Sequence, residues 1–269
     1  MGKHNESGIL KNRIGIQIVS SRPNCLAVLL ASLKLQTFKR WDLILVYQDE
    51  NLPLNYLVRA LLIRLEFEGH RVKLIRAKPE LGIGALRNLA LEADDCEYGL
   101  RIDDDSICEK DYVERLFRVM QETNAGVVGG IVPFIHKKEY APLPKKLNTV
   151  DKNFNIKDHC VYFFNTRDYF EVDHIRSSFM YPNKLAKKIK FPTYNDDLAG
   201  FREETDFCLR VKHAGHKIIF VPDAVCWHLM APYGGTRPTW LKYKERVAKV
   251  ADERFKREMR KLCKREQKD

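Results

Sequence analysis

Four apolar runs, Ile14–Val19, Leu43–Tyr47, Val72–Ile75 and the stretch holding Tyr98, Leu100 and Ile102, each end in a polar loop that opens a helical pattern. A strand followed by a helix, repeated in this way, leaves little choice of fold, because parallel neighbours need a crossover and a crossover helix covers a sheet face. The periodicities agree. Leu26, Leu29, Leu30 and Leu33 follow the first run, Leu57, Leu61, Leu62 and Leu65 the second, Leu86, Leu89, Ala90 and Ala93 the third, and Val113, Leu116, Phe117 and Met120 the fourth, all at helical spacing. Pro23 falls in the first turn of the first helix, where its missing N–H costs nothing. The pattern predicts an α/β fold with a mostly parallel, doubly wound sheet, whose ligands bind at the carboxyl ends of the strands where strand order switches. The loops "SSRPN", "QDEN", "LGIGALRN" and "DDDS" would then line one crevice.

After Val127–Val132 the alternation stops, and residues 133–200 are rich in Lys, Asn, Pro and aromatics, with short strands expected at Val161–Asn165 and Arg176–Met180. Order returns from Asp197, with a helix through Phe207, Leu209 and Val211 stopped at Gly215, then a strand Ile218–Val221. A last helix from about Trp240 carries Tyr243, Val247, Val250, Phe255, Met259 and Leu262 on one face. The expected organisation is a body over residues 1–235, divided into 13–133 and 134–235, and a basic amphipathic helical tail over 236–269.

The chain has 269 residues, and its 45% hydrophobic fraction excludes general disorder. No apolar run approaches the ~20 residues of a membrane span, and "MGKHNESGILKNR" lacks the apolar centre of a signal peptide. These features predict a cytoplasmic protein. Its seven cysteines form no CxxC pair, so reduced thiols are expected in place of disulfides or zinc. The net charge of +11 implies an anionic partner, and residues 241–269 hold about half of the excess. Nucleic acid is not expected, because no strand combines the aromatic and basic residues of an RNA-binding motif and the excess is helical and terminal. The tail has three accounts: packing on its own body, pairing with another subunit, or peripheral contact with the anionic inner face of a membrane.

Two acidic clusters carry chemistry. Asp103, Asp104 and Asp105 end the fourth strand. Adjacent carboxylates repel and lose hydration when enclosed, so the trio needs either full exposure in a solvated turn or a compensating cation, such as a divalent metal shared with a phosphate. Glu203 and Glu204 open a helix, where acids suit the dipole whether or not they act on a substrate.

The blocks "SSRPN", "QDEN", "LGIGALRN", "DDDS", "VVGGIV" and "FREETDFCLRVKHAGHKIIFVPDAVCWH", in that order, resemble glycosyltransferase family 2, which has the GT-A fold. The resemblance spans roughly residues 13–133 and 173–230. It implies a nucleotide-binding half followed by an acceptor-binding half. It also implies an inverting transfer of a sugar from a nucleoside-diphosphate donor, with UDP-sugar expected, to a hydroxyl of a glycan or lipid-linked acceptor, in polysaccharide biosynthesis. The divalent metal, Mn²⁺ or Mg²⁺, would be held by Asp105, Asp103 and His228. Ser20, Arg22, Pro23, Asp49, Glu50, Arg87, Asp103 and Asp104 would bind the donor nucleotide, with Gly82 and Gly84 permitting close approach and Asn88 facing it. Arg176, Ser177 and Glu203 would meet the donor sugar or acceptor. Glu204, where the family more often has Asp, would be the base, and Asp206 is expected to be structural. The alternatives are a nucleic-acid-binding protein and a nucleotidyltransferase on a related sheet; the latter usually carries a Gly-rich, Arg-containing block after the first strand, which "SSRPN" does not supply.

Overall fold

A computed structural model describes residues 10–48, 54–198, 200–231 and 237–265. In chain order the elements are β1 (Leu10–Ser20), α1 (Pro23–Lys34), β2 (Trp41–Tyr47), α2 (Tyr56–Phe67), β3 (Val72–Arg76), α3 (Ile83–Ala93), β4 (Cys96–Asp103), β5 (Ser106–Cys108), α4 (Tyr112–Thr123) and β6 (Val127–Ile131). There follow β7 (Thr149–Val150), β8 (Ile156–Lys157), β9 (Phe170–Val172), β10 (Phe179–Pro182), α5 (Asn183–Ile189), α6 (Glu203–His213), β11 (Ile218–His228) and α7 (Arg237–Arg265).

The main sheet runs β3-β2-β1-β4-β10-β6-β11-β5, with β9 on the far side of β11, and β7 and β8 form a separate hairpin. Strands β3, β2, β1 and β4 are parallel, β10 is antiparallel between β4 and β6, and β11 returns parallel to β6. Both faces are covered. Ile14, Ile16 and Ile18 of β1 are fully buried in one cluster with α1, α2 and α4, while Ile44 and Val46 of β2 pack on Leu86 and Ala90 of α3. This two-sided burial explains why the parallel strands read as continuous apolar runs.

The pairing places the loops. Val19 lies opposite Asp103, and Ser20 opposite Tyr47, so the ends of β1, β2 and β4 open side by side. Strand β11 is longer than its apolar run predicts. Its register with β6 shifts between Val221 and Val225, around Pro222, after which it pairs with β5 and brings His228 opposite Ser106. The strand expected at Val161–Asn165 is replaced by an isolated bridge between Phe163 and Tyr140, and the one expected at Arg176–Met180 begins only at Phe179. Left-handed backbone at Ser177, φ 59°, delays its start.

The tail packs on its own body. Val247, Ala251, Phe255 and Met259 of α7 are buried, and Phe255 meets Phe154 edge to face. Polar contacts bind α7 to the segment leading into α6: Arg202 Nε to Asp252 Oδ1 at 2.7 Å, Arg254 Nη1 to the Tyr194 carbonyl at 3.0 Å and to Asp197 at 2.6 Å, and Asn195 Nδ2 to the Ala251 carbonyl at 3.3 Å. Trp240 and Tyr243 have side chains outside the described residues. Among the described residues no helix is long and apolar enough to cross a membrane, and six cysteines are buried thiols with Cys263 exposed.

Candidate functional site

The acid trio is not a solvated turn. Asp104 and Asp105 are only 4% and 2% exposed, so their charge is met inside the protein, and the cation there is a guanidinium. Arg22 sits just past β1, donates from Nε to Asp104 Oδ2 at 3.1 Å and from Nη1 to Asp105 Oδ2 at 3.1 Å, and its Nη2 reaches both carboxylates. Ser20 Oγ donates to Asp104 Oδ2 at 2.7 Å and accepts the Arg22 amide at 3.0 Å. Burial works against the Arg22 cation, but Asp104 and Asp105 overcome this and hold its pKa above the usual arginine value. Ser20, Arg22 and Asp104, expected to meet the nucleotide, are therefore bonded to one another. Pro23 is the first residue of α1. Asp49 and Glu50 lie outside the described residues.

Asp103 points the other way. Its Oδ1 accepts from Arg87 Nη2 at 3.0 Å and from Arg101 Nη2 at 2.9 Å. Burial opposes ionisation of Asp103, yet the charges of Arg101 and Arg87 hold its carboxyl far below the usual range. The same two arginines converge on Glu203, whose Oε1 accepts from Arg87 Nε at 2.7 Å and from Arg101 Nη1 at 3.2 Å. Glu203 is 5% exposed, so the contact with sugar or acceptor expected of it gives way to internal pairing. Both bonds fall on Oε1, leaving Oε2 able to hold a proton. Burial, with the neighbouring Glu204 charge adding to it, pushes the Glu203 carboxyl up to about 7 against the pull of Arg87 and Arg101. An acid whose folded pKa is raised contributes stability below its unfolded value near 4.5 and loses it as pH rises through about 7. The Glu203→Gln variant is expected to flatten this dependence, seen as a denaturation midpoint that falls less between pH 5 and pH 8 than the parent's.

Glu204 occupies the first turn of α6 with a side chain 23% exposed, and its Oε1 lies 3.6 Å from Arg101 Nη2. Arg176 is exposed and pairs with Asp158 at 3.3 Å, while Ser177 beside it is 7% exposed. Asp206 takes the structural part expected of it, accepting from Tyr194 at 2.7 Å and pairing with Arg210.

The block "LGIGALRN" departs from its expected part. A Cβ on Gly82 or Gly84 would stand 2.0 Å from Asp196 or 2.1 Å from the Pro192 carbonyl, so the close approach these glycines permit is to the chain's own loop. Asp196 caps α3, accepting from the Gly84 and Ala85 amides at 2.7 and 3.1 Å. Asn88 likewise holds the backbone of Phe191 at 2.9 and 2.8 Å.

For a divalent cation the structure brings two of the three expected donors together. Asp105 Oδ1 and His228 Nε2 are 3.4 Å apart, within reach of one shared ion; Arg22 meets both Asp105 oxygens, Oδ2 from Nη1 at 3.1 Å and Oδ1 from Nη2 at 3.0 Å, and the Ala231 amide donates to Oδ2 at 3.2 Å. The carboxylate oxygen suits either Mn²⁺ or Mg²⁺, and the imidazole nitrogen favours the softer Mn²⁺ of the two. Asp103 is committed to its arginines, and among the described residues no three His, Cys, Asp or Glu side chains gather at ligating distance. The pair fits a cation that takes its remaining ligands from a diphosphate and water. The Met230 amide donates to His228 Nδ1 at 3.2 Å, which leaves the ring proton on Nε2. Loading that nitrogen therefore requires its proton to leave or to move to Nδ1, the latter at the cost of the Met230 bond.

The model of Glycosyl transferase family 2 matches residues 18–204. The chain belongs to that family. Among solved structures, this family 2 chain is similar to S. aureus TarS 1–349 in complex with UDP-GlcNAc, with a TM-score of 0.60 and 16% identity over 83% of this chain and 60% of that one. The same fragment in complex with UDP gives a TM-score of 0.57 and 15% identity over 82% of this chain and 61% of that one. GalNAc-T7 with UDP, GalNAc and Mn²⁺ gives a TM-score of 0.61 and 13% identity over 91% of this chain and 50% of that one. The chain thus spans about three fifths of the TarS fragment, and the likeness establishes the GT-A fold. No curated protein matches it.

Arg101 and Asp196 are the residues that sequence reasoning missed. Arg101 had a signal: a charged residue between Leu100 and Ile102 of an apolar strand is buried only when paired. Asp196 had none, since its partners on α3 are 112 and 111 positions away.

Proposed function

We propose that the family 2 chain is an inverting glycosyltransferase that moves a sugar from a nucleoside-diphosphate donor, taken to be a UDP-sugar, to a hydroxyl of a glycan or lipid-linked acceptor. The observation that carries this reading is the placement of Glu204. It is a partly exposed carboxylate beside a cluster whose other acids are spent on arginines. An alcohol is a poor nucleophile until its proton is removed, and in this reading Glu204 takes that proton as the acceptor oxygen bonds to the anomeric carbon. The bond from that carbon to the phosphate oxygen breaks, and the electron pair leaves with the nucleoside diphosphate. Double displacement requires a second free carboxylate to attack the sugar, and Glu203, buried and bonded to Arg87 and Arg101, is unsuited to it.

A cation held by Asp105 and His228 would neutralise the diphosphate as negative charge grows on it. Arg22 fixes the Asp105 carboxylate in place through its contacts with both oxygens. The UDP and UDP-GlcNAc complexes of TarS and the UDP and Mn²⁺ of GalNAc-T7 support the choice of donor and metal. The division at residue 133 and a site of action in the cytoplasm belong to this same reading.

A thermal-shift panel of UDP, GDP and their sugars, each with Mn²⁺ and with chelator, tests it. Saturation at 100 times Kd stabilises a fold by about 2.7 kcal/mol, so a UDP-sugar with Mn²⁺ is expected to raise the melting temperature by several degrees. Equal curves with metal and with chelator for every nucleotide would overturn the donor assignment.

A further inference from the structure

We propose that Arg101 is a positioning residue that fixes Glu204 relative to the donor-side acid Asp103. The inference rests on the reading of Glu204 as base and adds the device that holds it. Arg101 is 1% exposed. Its guanidinium donates to Asp103 at 2.9 Å and to Glu203 at 3.2 Å, and stands 3.6 Å from Glu204. Phe179 and Phe191 flank the same group, with ring centroids 5.1 and 5.9 Å from Cζ. One planar fork thus links the end of β4, in the nucleotide-binding half, to the first turn of α6, in the acceptor-binding half.

The arrangement divides labour between the arginines. Arg87 reaches Asp103 and Glu203 from α3, so Asp103 keeps a guanidinium when Arg101 is removed. Contact with Glu204 at salt-bridge distance is made by Arg101. Glu203 takes the Nη1 bond on Oε1, which leaves Nη2 shared between Asp103 and the base. A guanidinium suits this task and an ammonium does not, because three carboxylates at fixed angles require a rigid fork of donors.

The test uses the full chain in three variants: Glu203→Gln, Arg101→Lys, and the double variant Arg101→Met with Glu203→Gln, which avoids stranding a buried carboxylate. Two quantities are read. One is turnover of the UDP-sugar that gives the largest thermal shift, followed as UDP release; the other is the Kd of UDP with Mn²⁺, by calorimetry. Displacing a catalytic group by about 1 Å costs on the order of 100-fold in rate. The double variant is therefore expected to lose about 100-fold in kcat relative to Glu203→Gln, with the UDP Kd within about threefold of it, and Arg101→Lys is expected to recover part of the loss. Equal kcat in the double variant and Glu203→Gln overturns the proposal, and so does a loss confined to UDP affinity. A fully active Glu204→Gln chain would sink the base assignment itself, whereas an inactive Glu204→Gln beside unaffected Arg101 variants would sink this inference alone.

Discussion

The Glu204→Gln chain is expected to turn over about 10²–10⁴-fold more slowly than the parent while binding UDP with Mn²⁺ as before, because general base catalysis contributes that range. The substitution is nearly isosteric. It removes the ability to accept a proton and little else, since among the described residues the ion pair of Glu204, with Arg101 at 3.6 Å, is the longest of the cluster. Initial rates over a range of acceptor concentrations separate the outcomes: a fall in kcat supports proton removal, and a rise in acceptor KM alone assigns Glu204 to binding. Asp103, with a side chain 22% exposed, is the other partly exposed acid of this cluster. Its carboxylate is held ionised by two arginines, which makes it a poor proton acceptor.

The second large effect concerns stability. The Arg22→Met substitution is expected to destabilise the fold by about 3–5 kcal/mol, the usual consequence of leaving a buried charge without its partner. Asp104 and Asp105 would lose the guanidinium that reaches both of them, with Ser20, the Ala231 amide and His228 left among the contacts described above. Urea denaturation reads this as a lower midpoint at unchanged slope. Adding Asp104→Asn to Arg22→Met is expected to recover part of the loss, since one of the two stranded charges disappears and contacting residues couple. A midpoint unchanged by Arg22→Met would mean that water reaches the trio and that the acids are not enclosed.

The first four strand–helix units were legible because burial on both sheet faces writes itself as apolar runs, and helix packing as a period of three to four. The positions of the acid clusters were legible for the same reason, being the polar residues at the ends of those runs. The partners of those acids were not. Ser20 and Arg22 read as residues facing a nucleotide, yet a guanidinium and a hydroxyl that can satisfy a ligand can equally satisfy Asp104, and only the placement decides between them. Gly82 and Gly84 read as permitting close approach to a nucleotide, whereas the groups that crowd them, Asp196 and the Pro192 carbonyl, lie more than a hundred positions away and follow from tertiary structure alone. His228 reached Asp105 through a register shift beside Pro222, which no apolar period records. Arg101 was the one omission that its surroundings in the sequence could have repaired.

The last helix has a consequence that charge counting conceals. Arg202, Asn195, Asp197 and Tyr194, all in the stretch leading into the base, are gripped from behind by Asp252, Ala251 and Arg254. A region that looks like a detachable basic appendage is thus the rear jaw of a vice around the segment that leads into α6. Trimming the chain from its carboxyl end would leave every acid, base and arginine of the crevice in place and still unsettle the chemistry, once the cut passes Arg254.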